Sequence, residues 1–179
     1  QLYQELGLRG EVNFPAFEQA LKGFSRYASG QDRLLVLIDY TKPSTEKRFY
    51  ILDLLQKKLL LSTYVAHGRG SGDNYAVAFS NRPGSYQSSL GFFRTGDTYM
   101  GKNGYSLFLD GLEKGINDKA RERAIVVHGA NYADPAVLKG QQRLGRSLGC
   151  PALPPDISKQ VIDTIKGGVL LYIYGLNKA

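Results

Sequence analysis

Residues 145–155 read GRSLGCPALPP and contain Cys150, the only cysteine among the 179 residues of the chain. A cysteine that only fills space in a core normally lies in an apolar run, whereas Cys150 lies among glycines, a serine and three prolines. This composition predicts a turn, and a turn exposes its side chains and lets the backbone approach a ligand. Cys150 is therefore a candidate functional residue.

The sequence on both sides of this turn predicts many short strands and few helices. The predicted strands are RLLVLIDYT (33–41), RFYILDL (48–54), KLLLSTYVAHG (58–68), YAVAFS (75–80), SLGFFRTG (89–96), YSLFLDGL (105–112), RAIVVHG (123–129) and VLLYIYG (169–175). Apolar residues recur at helical spacing in residues 13–29, with Asn13 as N-cap, and in residues 155–168. Shorter helices are predicted at NDKARER (117–123) and DPAVLKG (134–140). The pattern indicates a mainly β fold, a sandwich or barrel with a few peripheral helices.

The amino-acid composition of the chain favours some classes of binding partner over others. The net charge of +7 favours an acidic partner, such as nucleic acid, anionic lipid or an acidic cell-wall polymer. The basic residues are dispersed, and no basic stripe with interleaved aromatic residues appears, which disfavours a nucleic-acid binder. No run of 18 apolar residues is present to span a bilayer.

Cys150 and the two histidines of the chain are the candidates for nucleophilic catalysis. His67 and His128 each end an apolar run and precede a glycine. A nearby imidazole can remove the proton of a thiol and stabilise the thiolate, although a structural role suits either histidine equally well. Gly149 allows backbone N–H groups to face a developing oxyanion. One cysteine and two distant histidines supply no zinc site, so we expect neither a metal nor a cofactor.

Several motifs together resemble one known family. VVHGANYAD (126–134) followed by GRSLGCPALP (145–154) is similar to the His-Gly … Ser-x-Gly-Cys signature of the L,D-transpeptidase (YkuD-type) catalytic domain. The resemblance is to the branch described as murein L,D-transpeptidase catalytic domain proteins, and it extends to VAHGRGSG (65–72), FSNRPGSYQSSLGFF (79–93) and GLEKGINDKARERAIVVHG (111–129). It implies a YkuD-like β-rich catalytic domain over residues 31–179, with residues 1–30 as a helical segment packed on it.

The resemblance also implies a role for each residue of the motif. Cys150 would attack the carbonyl of the third residue of a peptidoglycan tetrapeptide stem and expel the terminal D-alanine. His128 would be the base, oriented by the carbonyl of Gly129. The backbone N–H groups of Gly149 and Cys150 would form the oxyanion hole, and Ser147 would shape the pocket. The resulting thioester would pass to an amine, which gives a 3→3 cross-link or an attached protein, or to water.

Two positions depart from the pattern of many family members. Leu148 stands where many members have histidine, and Ala152 stands where many have arginine or asparagine. Other polar side chains must then contact the substrate, and the expected ones are Arg69, Arg82, Arg143 and Arg146. We expect His67 to line the cleft as well, because the loop that follows it is rich in glycine.

Two alternatives to a transpeptidase stay open: an L,D-carboxypeptidase that hydrolyses the same stems, and a non-catalytic peptidoglycan-binding module. A papain-like peptidase is disfavoured because such enzymes place the cysteine before the histidine, whereas His128 precedes Cys150. We expect the partners to be tetrapeptide stems and an amine acceptor. We also expect a monomer exported to the periplasm or cell envelope, whose signal peptide is absent from this chain.

Overall fold

The computed structural model describes residues 1–29 and 32–178. Within that part of the chain, eight strands form one sheet in the order β3-β2-β1-β8-β4-β5-β6-β7. The strands are β1 (Leu34–Asp39), β2 (Phe49–Asp53), β3 (Lys58–Thr63), β4 (Gly91–Gly101), β5 (Gly104–Gly111), β6 (Val126–Gly129), β7 (Ala152–Leu153) and β8 (Leu170–Tyr174). The helices are α1 (Leu2–Glu5), α2 (Phe14–Tyr27) and α3 (Pro155–Ile165), with 3-10 turns at Arg69–Ser71, Asn131–Ala133 and Pro135–Lys139.

The two ends of the sheet curl toward each other. Strand pairs β1–β8 and β6–β7 are parallel, and the other neighbours are antiparallel. Beyond β3, Ala66 forms a bridge with Ala152 of β7, with N–O distances of 2.8 and 3.3 Å, and Gly68 forms a bridge with Ser147. The sheet is therefore a nearly closed barrel, which confirms the predicted mainly β fold.

The two longer helices cover opposite sides of the sheet. Helix α3 buries Val161, Ile162 and Ile165 in the core that contains the inner side chains of β1, β4 and β5. Helix α2 packs on β1 and β8 in a second core and presents Gly23 to the ring of Phe92. A Cβ on Gly23 would lie 1.8 Å from Phe92 Cζ, so only glycine allows this close approach. None of the helices in the described residues is long and apolar enough to cross a membrane.

Some local predictions of secondary structure are wrong. Residues 75–80 form no strand, because the N–H groups of Val77 and Ala78 both donate to the carbonyl of Ser71. Residues 117–123 form consecutive turns rather than a helix. Asn13 is the N-cap residue of α2, as predicted, but its side chain donates to Asp39 Oδ2 at 2.6 Å and makes no hydrogen bond to the helix. Strand β7 has only two residues and was not predicted.

The predicted boundary between residues 1–30 and 31–179 stays a prediction. Helix α2 lies N-terminal to that boundary and shares a buried core with β1 and β8, which lie beyond it.

Candidate active site

Two neighbouring strands bring the cysteine turn beside His128. His128 belongs to β6 and pairs with Ala152 of β7, which begins two residues after Cys150. Both side chains line one cavity of about 370 Å³. Its lining residues are Lys102, Asn103, Arg123, Ala124, Ile125, His128, Tyr132, Arg146, Ser147, Leu148 and Cys150.

Cys150 is a neutral thiol at rest. Its side chain is largely buried, and Sγ accepts a hydrogen bond from the Val126 N–H at 3.4 Å and donates one to the Ala124 carbonyl at 3.4 Å. Burial raises the pKa of Cys150, while the Val126 N–H and the positive charges of Arg123 and Lys102 act in the opposite direction. Since the thiolate is the reactive form, Cys150 needs a base to remove its proton.

His128 has the tautomer that such a base requires. Its ring is buried, and Nδ1 lies 2.9 Å from the carbonyl oxygen of Gly129. A carbonyl only accepts hydrogen bonds, so Nδ1 carries the hydrogen and Nε2 carries the lone pair. Burial lowers the pKa of His128, which keeps the imidazole neutral and able to accept a proton. This contact has the geometry that the resemblance implies, while the catalytic role itself stays a prediction.

Ser147 holds the cysteine turn together. Its buried Oγ donates to the Cys150 carbonyl at 2.6 Å and accepts from the Gly149 N–H at 3.1 Å. Gly149 has a φ of +127°, and a Cβ there would lie 3.0 Å from the carbonyl oxygen of Gln87. The Gly149 N–H is thus bonded within the turn, and its role as an oxyanion donor stays a prediction. Within the described residues, the Cys150 N–H has no protein acceptor, and its role as an oxyanion donor stays a prediction.

The structure places His67 away from the cavity. His67 is fully buried, and its Nδ1 accepts from Arg48 Nη2 at 2.8 Å while Nε2 donates to the Gly72 carbonyl at 3.2 Å. Burial and the charge of Arg48 lower the pKa of His67 to about 3. A ring so enclosed has no contact with a substrate in the cavity. Instead, the backbone carbonyl of His67 accepts from the Ser147 N–H at 2.9 Å and supports the cysteine turn from behind.

Only one of the four arginines expected to contact substrate lines the cavity formed by the described residues. That residue is Arg146, whose Nη1 lies 3.2 Å from an Asp73 carboxylate oxygen. Arg143 is directed to the same carboxylate, at 3.9 Å. Arg69 and Arg82 are exposed on loops outside the cavity.

Three charged or phenolic residues of the cavity are not among the predicted site residues: Lys102, Arg123 and Tyr132. Nothing in the sequence around Arg123 or Lys102 indicates a place in the site. The hairpin tip reaches the site because Ser106 of β5 pairs with His128 of β6. Tyr132 lies four residues after His128, and this short separation is the only feature of the sequence that indicates a place near the site. No group of three or more metal-binding side chains occurs among residues 1–29 and 32–178.

The fold and the site together define a class: a nearly closed β-barrel domain that presents a single thiol and a neutral imidazole in one cationic cavity. The chain belongs to a known family of this class, because the L,D-transpeptidase catalytic domain family matches residues 8–174. This match confirms the resemblance seen in the motifs.

Three solved structures are similar to this chain at low sequence identity. The helical cell shape determining protein Pgp2 from Campylobacter jejuni has a TM-score of 0.53 and 16% identity, over 83% of this chain and 50% of that one. An L,D-transpeptidase from Stackebrandtia nassauensis has a TM-score of 0.49 and 14% identity, over 99% and 76% of the two chains. An L,D-transpeptidase from Mycobacterium smegmatis has a TM-score of 0.47 and 13% identity, over 80% of this chain and 59% of that one. This chain therefore spans less than two thirds of the length of that protein. No curated protein sequence matches the chain.

Proposed function

We propose that this domain is a cysteine-dependent L,D-transpeptidase that transfers the acyl group of a peptidoglycan tetrapeptide stem and releases D-alanine. One observation carries the proposal: the only thiol of the chain lines the same cavity as an imidazole whose Nδ1–H is held by a carbonyl. Membership of the L,D-transpeptidase catalytic domain family supports it.

The reaction would begin with a movement of the thiol. At rest the S–H group of Cys150 donates to the Ala124 carbonyl, so it must rotate toward His128 before it can lose its proton. His128 Nε2 then takes that proton, and Sγ attacks the carbonyl carbon of the third stem residue. The Cys150 N–H is available to donate to the oxyanion of the tetrahedral intermediate.

The same histidine would then act as an acid. When the C–N bond breaks, His128 gives its proton to the departing amine, and D-alanine leaves a thioester on Cys150. An acceptor amine attacks the thioester and transfers one proton through His128 back to sulfur. The products are a new amide and the free thiol, so the enzyme is unchanged after one turnover.

The charge of the cavity suits this substrate. Lys102, Arg123 and Arg146 line it, and no Asp or Glu is among the lining side chains of the described residues. Peptidoglycan stems carry carboxylates, which such a cavity attracts. Since the polymer lies outside the cytoplasmic membrane, the proposal includes export to the periplasm or cell envelope, and a monomer suffices because one chain carries the whole site.

The test is to incubate the protein with a disaccharide-tetrapeptide, with and without an amine acceptor, and to measure D-alanine and the peptide products. We expect D-alanine release and a cross-linked product, both absent in Cys150→Ala. Tripeptide as the only product, even with acceptor present, would instead establish an L,D-carboxypeptidase. Binding of the stem without any D-alanine release would leave only the binding-module alternative.

A further inference from the structure

Arg123 makes an unusual set of contacts beside the site. Nη1 donates to the Ser80 carbonyl at 2.8 Å and to Ser89 Oγ at 2.7 Å. Nη2 donates to the Gln87 carbonyl at 2.8 Å and to Ser85 Oγ at 3.2 Å. All four acceptors are uncharged and lie in one segment, residues 80–89. The guanidinium is therefore fixed on this segment without a carboxylate to neutralise it.

This fixed cation packs against the cysteine turn. A Cβ on Gly149 would lie 3.5 Å from Arg123 Nη2 and 3.0 Å from the Gln87 carbonyl, so the guanidinium and its acceptor both adjoin the residue before Cys150. Arg123 also lines the cavity that contains the thiol. Its neighbour Arg121 differs, because it is exposed and pairs with Asp110 at 2.6 Å, whereas Arg123 has no such partner among the described carboxylates.

Arg123 is the one cation of the cavity that is both fixed and without an acidic partner in the described part of the chain. Lys102 is exposed on the β4–β5 hairpin, and Arg146 is paired with Asp73. The titratable groups that line the cavity with Cys150 are these three cations, the neutral ring of His128 and the phenol of Tyr132. The buried phenol of Tyr40 also interacts electrostatically with Cys150. The phenols have raised pKa values, so they carry no charge near neutral pH.

We propose that Arg123 is a positioning residue of the cysteine site: it holds residues 80–89 against the cysteine turn and supplies a fixed positive charge that favours the Cys150 thiolate. The role rests on the proposed function only in that Cys150 is the nucleophile. Burial disfavours the thiolate, and a nearby opposite charge is the physical means of offsetting that cost. Arginine suits the task because it stays charged throughout the working pH range.

The test is the pH dependence of alkylation of Cys150 by iodoacetamide, which is unambiguous because the chain has one thiol. We compare the parent with Arg123→Met, Arg123→Lys and the control Arg121→Met. Removal of the charge should raise the midpoint by about one pH unit, which slows alkylation about tenfold at pH 7. The alkylation midpoint of Arg123→Lys should lie close to that of the parent, and the midpoint of Arg121→Met should equal it.

A second measurement distinguishes the two parts of this role, the hold on residues 80–89 and the positive charge beside Cys150. Hydrogen exchange in residues 80–89 should be faster in both Arg123 variants, because lysine keeps the charge but lacks the planar fork that makes four hydrogen bonds. An unchanged alkylation midpoint in Arg123→Met would overturn the proposal, and so would equal shifts in the methionine and lysine variants. If Arg123→Met fails to fold, Arg123→Gln keeps an amide donor without the charge and must show the same shift.

Alkylation requires no peptidoglycan, so this result is independent of the proposed function. A shifted midpoint in a protein that releases no D-alanine would uphold the role of Arg123 and refute the transpeptidase proposal. Release of D-alanine with an unshifted midpoint would support the transpeptidase proposal and refute the role of Arg123.

Discussion

Replacement of Ser147 by alanine probes the turn that presents the thiol. The Ser147 hydroxyl donates to the Cys150 carbonyl at 2.6 Å and accepts from the Gly149 N–H at 3.1 Å, all within a buried turn. Alanine would leave one buried carbonyl and one buried N–H without their partner. Each such group costs about 1–3 kcal/mol, so we expect the free energy of unfolding to fall by about 2–6 kcal/mol.

Urea unfolding followed by circular dichroism measures this loss directly. Ser106→Ala is a matched control, because Ser106 is equally buried but its hydroxyl makes one hydrogen bond, to the Gly104 carbonyl at 3.0 Å. The control should lose about 1 kcal/mol. For a domain of this size each kcal/mol lowers the thermal midpoint by about 2–4 °C, so Ser147→Ala should melt about 4–24 °C below the parent.

The same variant should also release D-alanine at least about tenfold more slowly, because a displaced nucleophile loses its alignment with the carbonyl. Equal losses of stability in Ser147→Ala and Ser106→Ala would refute the reasoning, since they would show that the second hydrogen bond of Ser147 contributes nothing.

Three further predictions concern stability. Burial and a neighbouring arginine lower the pKa of His67 from 6.5 to about 3, so the unfolded chain takes up the proton first as the pH falls. Stability that is present at pH 7 should therefore decline by about 1.4 kcal/mol per pH unit below about pH 6, and urea unfolding of His67→Gln should lack that slope. Gly149→Ala should lower the free energy of unfolding by about 1–3 kcal/mol in the same assay, because the φ of Gly149 is +127° and the new Cβ meets a carbonyl oxygen at 3.0 Å. The control Gly140→Ala, whose Cβ would lie in open space, should lower it by about 0.5 kcal/mol or less. Equal losses in the two variants would contradict this account. Gly23→Ala should lose about 1–3 kcal/mol by overpacking against Phe92, and a parent-like unfolding curve would show that α2 does not depend on this contact.

The sequence predicts the parts of the fold in which hydrophobic periodicity persists over several residues. Helices α2 and α3 and most strands keep a regular apolar pattern, and these are confirmed. Residues 75–80 are equally apolar, but the N–H groups of Val77 and Ala78 donate to the carbonyl of Ser71, a contact that exists only once the Arg69–Ser71 turn is in place. Strand β7 is too short to carry a pattern, and it exists because β6 and Ala66 flank it.

The site is predictable to the extent that rare residue types mark it. Cys150 and His128 stand out because the chain has one cysteine and two histidines. His67 has the same local pattern as His128, and only the fold shows that Arg48 and Gly72 occupy both of its ring nitrogens. Arg123 is one of 23 basic residues, and its acceptors lie more than thirty positions away in the sequence, so nothing local distinguishes it.

The most direct test of the central claim is intact-mass spectrometry of the protein incubated with a disaccharide-tetrapeptide, beside Cys150→Ala. A thioester that forms as D-alanine leaves adds the mass of the substrate minus that of alanine. We predict this gain in the parent alone. No mass gain in the parent, with no D-alanine in solution, would contradict the claim that Cys150 accepts the acyl group of a tetrapeptide stem.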